Sequence, residues 1–169
     1  DGDGMDCPEG QYPDCSGVCG GNDWSCYGQS PHFEPSYLAH SVNPFSPMNI
    51  TITSAVLDNV ALETGDEIGI FDGDVCVGSG IVDGTIVAPG NMLELKASAQ
   101  DPDWPTGTGF TSGNQITYRY WDVSSSMEIS QISASYLDGD ATFSTGGSSY
   151  AGLSGTSDEE GPADIDGCT

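Results

Sequence analysis

The residues best suited to chemistry sit at the two ends of the chain. Asp1-Gly2-Asp3-Gly4-Met5-Asp6-Cys7 sets carboxylates two and three residues apart around glycines, a spacing that lets one loop fold its oxygens about a calcium ion of roughly six to eight ligands. Asp164-Ile165-Asp166-Gly167-Cys168 is a shorter echo of it. Asp1, Asp3, Asp6, Asp164 and Asp166 are therefore the candidate ligands for Ca2+. Neither segment completes a twelve-residue calcium loop with its closing Glu, so the competing reading is a solvated acidic end, and a partial site would take further oxygens from another segment.

Thiol chemistry is the second possibility. Six cysteines fall at 7, 15, 19, 26, 76 and 168. No histidine or C-x2-C pair accompanies them, so disulfides are favoured over a metal site, and disulfides imply an oxidising, extracellular compartment. Local pairing among Cys7, Cys15, Cys19 and Cys26 is expected, although six cysteines allow fifteen intrachain connectivities. Cys76, in a predicted strand, and Cys168 are left to pair with each other or with a neighbouring chain. The alternative for Cys76 is a buried free thiol. A cysteine beside a polar terminus has little packing value, which makes Cys168 a candidate covalent tether, including one between subunits.

Trp104, flanked by Pro102, Asp103 and Pro105, offers an aromatic face on which a sugar could stack; the alternative is a core-covering or subunit-contact residue. Asn49-Ile50-Thr51 matches the N-glycosylation sequon, and Ser/Thr-rich loops at 106–112, 124–126 and 144–157 are candidate O-glycosylation segments. Catalysis finds little support. His32 and His40 lie in a proline-rich stretch suited to packing or an interface, and the chain has no Gly-x-Ser-x-Gly elbow, His-Glu-x-x-His helix or phosphate-binding glycine loop. Carboxylate pairs for glycoside hydrolysis arise too easily by chance among 26 acids to carry weight.

The whole composition narrows the partners. The 169 residues carry 26 Asp plus Glu against Lys96 and Arg119, a formal net charge of −24. Such a field repels phosphate backbones and anionic lipids, so nucleic acid and membrane surfaces are poor partners and cations are natural ones. Eighteen of the acids are Asp, many in Asp-Gly pairs, as expected of short carboxylates in turns or near metal ions. No run approaches the roughly 18 apolar residues that span a bilayer, and Asp1-Gly2-Asp3-Gly4 is unlike a signal peptide, so a mature or processed fragment is expected.

These residues need elements to position them. Residues 1–30 have only Met5 and Val18 as aliphatics and form a Cys/Asp/Gly-rich arm that covalent links or ions must order. Residues 31–47 hold prolines at 31, 35, 44 and 47, which predicts an extended connector with at most an edge strand over Tyr37 to Val42. From 48 to 145 the chain reads as short β-prone runs: Met48–Val56, Glu67–Phe71, Val75–Val82, Met92–Ala97, Gln115–Trp121, Met127–Leu137 and Ala141–Phe143. Asp72-Gly73, Asp83-Gly84, Pro89-Gly90 and Asp138-Gly139 supply the turns. Gly69 and Gly78, inside the best hairpin signal, imply close approach of a neighbouring strand or ring. Residues 146–169 have the composition of a Gly/Ser/acidic tail. Together these runs predict an all-β fold, an antiparallel β-sandwich of jelly-roll or Ig-like type with a short disulfide-rich N-terminal arm.

Asp3-Gly4-Met5-Asp6-Cys7 and Cys15-Ser16-Gly17-Val18-Cys19-Gly20-Gly21 resemble the Asp-Gly and Cys-Gly-Gly repeats of large secreted bacterial surface proteins and are distantly similar to thrombospondin type 3 calcium repeats. Gly65-Asp66-Glu67-Ile68-Gly69-Ile70-Phe71-Asp72-Gly73-Asp74, Cys76-Val77-Gly78 and Tyr118-Arg119-Tyr120-Trp121-Asp122 resemble the β-sandwich module that follows in such proteins. The resemblance spans about residues 1 to 143 and implies an extracellular or cell-surface location. The expectation is a structural subunit of a filament or surface layer that binds copies of itself. The alternative is a glycan-binding or adhesion module of a larger secreted protein.

Overall fold

The computed structural model describes Cys19 and residues 31–157. The chain divides into two compact units, Asp1–Pro31 and His32–Thr169, and the fold below is that of the second. It is all-β: among the described residues, nine strands form a five-stranded and a four-stranded sheet.

The first sheet runs β2 (Val60–Ala61), β1 (Met48–Leu57), β9 (Ser148–Gly155), β8 (Ile132–Asp138), with β5 (Leu93–Ala97) also paired to β1. The second runs β4 (Val75–Ile81), β3 (Glu67–Asp72), β6 (Thr117–Asp122), β7 (Met127–Ile129). All pairings are antiparallel except β1 with β9, which lie parallel from Asn49↔Ser148 to Leu57↔Gly155. Ile50, Ile52, Leu95 and Leu153 of the first sheet share one buried apolar cluster with Ile68, Ile70, Val77, Tyr118 and Tyr120 of the second. Alternation along each strand selects these side chains, since successive residues point to opposite faces.

Four sequence expectations are corrected. Residues 148–155, expected in the tail, form β9 between β1 and β8. Their glycines and serines look like a linker, but Ser149, Ala151, Leu153 and Gly155 all face inward and are buried, and small residues fit where aromatics already fill the space. A β-carbon on Gly155 would lie 2.6 Å from Ile132 Cδ1 and 2.9 Å from Tyr120 Cε2. The run Met127–Leu137 is two strands in different sheets, broken at Ser130-Gln131. No glycine or proline interrupts the run to mark the crossing, which pairing of its two halves in different sheets imposes. The Tyr37–Val42 edge strand is absent; Ser36–Ala39 is a 3-10 helix following Pro35, and Ala141–Phe143 contributes only an isolated bridge, Gln115↔Thr142.

Strand β3 is special because both of its faces are covered, with Glu67 through Phe71 all buried. Ile68 and Ile70 enter the main core. Glu67, Gly69 and Phe71 alternate to the opposite face, where residues 32–37 of the connector lie. The connector is therefore a packed element of the domain, with Phe33, Pro35 and Tyr37 buried at alternate positions.

Candidate functional site

The outer face of the second sheet is built around three consecutive outward positions of β3. The buried carboxylate of Glu67 accepts the backbone N–H of His32 at 2.9 Å and of Phe33 at 3.0 Å, one on each oxygen. Charge-assisted bonds of this kind are about twice as strong as neutral ones and fix the backbone they hold. Gly69 leaves an opening that the Phe33 ring enters, and Phe33 meets Phe71 edge to face with centroids 5.5 Å apart. Burying a ring of this size stabilises by about 1.5–3 kcal/mol. Ser79 Oγ donates to the Phe33 carbonyl at 3.2 Å, closing the clasp from β4.

His32 lies flat on Trp121, with ring centroids 3.7 Å apart and planes 7° from parallel, and its Nε2 is 2.8 Å from Glu128 Oε1. The other oxygen of Glu128 accepts from Arg119 at 3.1 Å. Arg119 also sits 4.0 Å over the Phe71 ring and reaches the fully exposed Asp74 at 3.2 Å. The cation–π contact orders the guanidinium, whereas the ion pair to Asp74 adds little in water. Partial burial opposes ionisation of Glu128, but the hydrogen bonds and charges of His32 and Arg119 outweigh it and hold the carboxyl below its ordinary range. Two of the chain's four Lys, Arg and His side chains thus converge on one patch of a molecule whose formal charge is −24.

Cys76 belongs to this patch, clustered with Phe33 and Phe71, and it is a free thiol. Its Sγ donates to the Gly78 carbonyl at 3.5 Å, and burial pushes its pKa up to about 11. The expectation that Cys76 pairs with Cys168 is corrected in favour of the alternative, a buried free thiol; an apolar pocket suppresses the thiolate that disulfide exchange requires. Cys19 is disulfide-bonded. Cys7, Cys15, Cys26 and Cys168, with the candidate calcium ligands Asp1, Asp3, Asp6, Asp164 and Asp166, lie outside the described residues. Among the described residues no group of three or more His, Cys, Asp or Glu is placed to hold a metal, and no helix is long and apolar enough to cross a membrane.

Trp104 is half-buried on the loop 101–109. His40 stacks near it at 5.8 Å and Phe45 meets it edge-on at 6.2 Å, so its neighbours come from the connector. The loop is tied by one side chain: Gln100 Oε1 accepts the N–H groups of Gly107, Thr108 and Gly109 at 3.0, 2.9 and 3.2 Å. Its Nε2 donates to Pro105 O and Thr108 Oγ1, both at 2.9 Å. Asn49 is half-buried on β1, and its Oδ1 accepts from Lys96 at 3.0 Å.

A second candidate surface is the edge of the first sheet. Among the described residues β8 pairs only with β9, leaving the other side of its seven-residue backbone without a strand. No Lys, Arg, Glu or Pro occurs in Ile132–Asp138, and a bulge falls only near its end, between Tyr136 and Asp138. A shallow uncharged depression beside it is lined by Ser54, Val56, Ser133, Ser135, Gly152 and Ser154. Sequence reading did not isolate His32, Glu67, Trp121 and Glu128 as a group, because their meeting spans up to 96 residues of chain; the adjacent Gly69 was the one legible sign. No family model matches the chain, and no curated protein or solved structure matches it.

Proposed function

We propose that the protein is a structural subunit of an extracellular filament or surface assembly, joined to copies of itself through strand edges and termini. In this reading the two sheets make a β-sandwich of jelly-roll or Ig-like type, the first thirty residues form a disulfide-rich arm, and the acidic ends bind calcium. The observation that carries the reading is the edge of β8, open among the described residues. Sheet proteins ordinarily protect long edge strands with charges, prolines or bulges, and the five residues Ile132–Tyr136 have none of these. In a chain of charge −24, an uncharged edge is also where a second copy meets the least repulsion. The motifs resembling secreted bacterial surface proteins agree with this assignment.

Negative-stain microscopy with and without chelator and reductant tests it. Ordered polymers are expected, lost when Ser133 and Ser135 on the exposed face of β8 are both changed to Glu. Monodisperse particles under every condition would refute the assembly role.

A further inference from the structure

We propose that the groove holding His32–Tyr37 also accepts the same segment from a second copy, so that subunits are joined by exchanged connectors. This deepens the assembly reading and rests on it.

The groove recognises a short peptide through three features, all met by two adjacent residues. Glu67 takes two successive backbone N–H groups, the opening over Gly69 takes the Phe33 ring, and Trp121 with Glu128 takes a flat ring bearing a nitrogen. None of these contacts depends on the peptide belonging to the same chain. The occupant is therefore specified by chemistry that every copy carries, and only linker geometry and concentration choose between closed and exchanged forms.

The segment is followed by chain able to release it. On its C-terminal side Leu38, Ala39, His40, Val42 and Asn43 are exposed, Val42 at 84%. The backbone is fixed again at Phe45, whose N–H donates to Ser98 Oγ at 2.9 Å and whose carbonyl accepts from Ala99 at 2.9 Å. Ser46 next to it has a φ of 40°, an unfavourable value for a residue with a β-carbon. Residues 38–44 extended would span about 23 Å, enough to carry the segment to an adjoining molecule.

The test mixes two full-length variants. Phe33→Ala keeps the groove and spoils the segment; Gly69→Val fills the groove and keeps the segment, with Gly69→Ala as the milder filler if the valine variant does not fold. Neither position belongs to the main core, so cooperative denaturant unfolding should persist and serves as the check on folding. Native mass spectrometry is expected to show a 1:1 heterodimer in the mixture at least tenfold above any dimer in either variant alone. Folded variants that give no heterodimer, while wild-type protein assembles, would overturn exchange and leave the assembly reading intact. Wild-type protein that does not assemble with or without calcium and reductant would overturn both.

Discussion

The ring of Phe33 occupies the space that a side chain on Gly69 would need: a β-carbon there would lie 2.9 Å from Phe33 Cγ. It would also lie 2.8 Å from Phe71 Cε1. Contacts this short force movement, and the Phe33 ring can leave more easily than β3. Gly69→Ala is expected to lift the connector at a cost of about 1–3 kcal/mol. Hydrogen exchange reads this directly, because the amides of His32 and Phe33 are bonded to Glu67; their protection should collapse while that of Ile68 and Ile70 stays.

The clasp should also weaken in acid. Glu128 faces His32 and Arg119, and its folded-state pKa lies below the ordinary value of 4.5. A depressed carboxyl pKa means that the unfolded chain binds the proton first, so the stabilisation is fully present above the unfolded value and is lost as pH falls through the folded one. Glu128→Gln is therefore expected to lower the thermal midpoint at pH 7, with the difference from wild type closing in the acid range below about 4.5. A difference that does not vary with pH would assign the effect to packing instead.

Gln100→Ala removes the hub of the 101–109 loop. Three backbone amides then lose their acceptor, and at about 0.5–1.5 kcal/mol for each bond the loop opens locally. Faster exchange at Gly107, Thr108 and Gly109, with little change in strand β1, is the expected signature. Trp104 emission should shift to the red as the loop loosens.

Tyr120 predicts a change of the opposite sign. Its ring is fully buried, and its hydroxyl faces the Val56 backbone without making a hydrogen bond of good geometry. A buried hydroxyl without a partner costs about 1–3 kcal/mol of desolvation. Tyr120→Phe should therefore leave stability unchanged or raise it by up to about 1 kcal/mol, read as an unchanged or higher denaturant midpoint with the same slope. Loss of more than that amount would mean the hydroxyl is satisfied in solution.

Much of the strand framework is written locally. Alternation and Asp-Gly turns located β1, β3, β4, β5 and β6 within a few residues, and Gly73, Gly84 and Gly139 adopt the positive φ that a turn uses. The two strand glycines flagged as close-approach points are both such places: Gly69 meets the Phe33 ring, and a β-carbon on Gly78 would strike the Lys96 carbonyl of β5. The packing role read for the histidines also fits, with His32 on Trp121 and His40 near Trp104.

By itself, then, the sequence determined the all-β class, the turn positions, the acidic charge and the demand for glycine where another group comes close. Each follows from a few adjacent residues, through side-chain alternation, φ preference or charge. Tertiary structure alone decided that the Gly/Ser-rich 148–155 segment lies between β1 and β8 and that Met127–Leu137 divides between sheets. It also decided that Cys76 stays a buried thiol and that His32 and Phe33 dock on Glu67. The physical reason is common to these cases: the free energy of each comes from surfaces buried between residues far apart in the chain, and composition reports what a segment is made of, not what covers it.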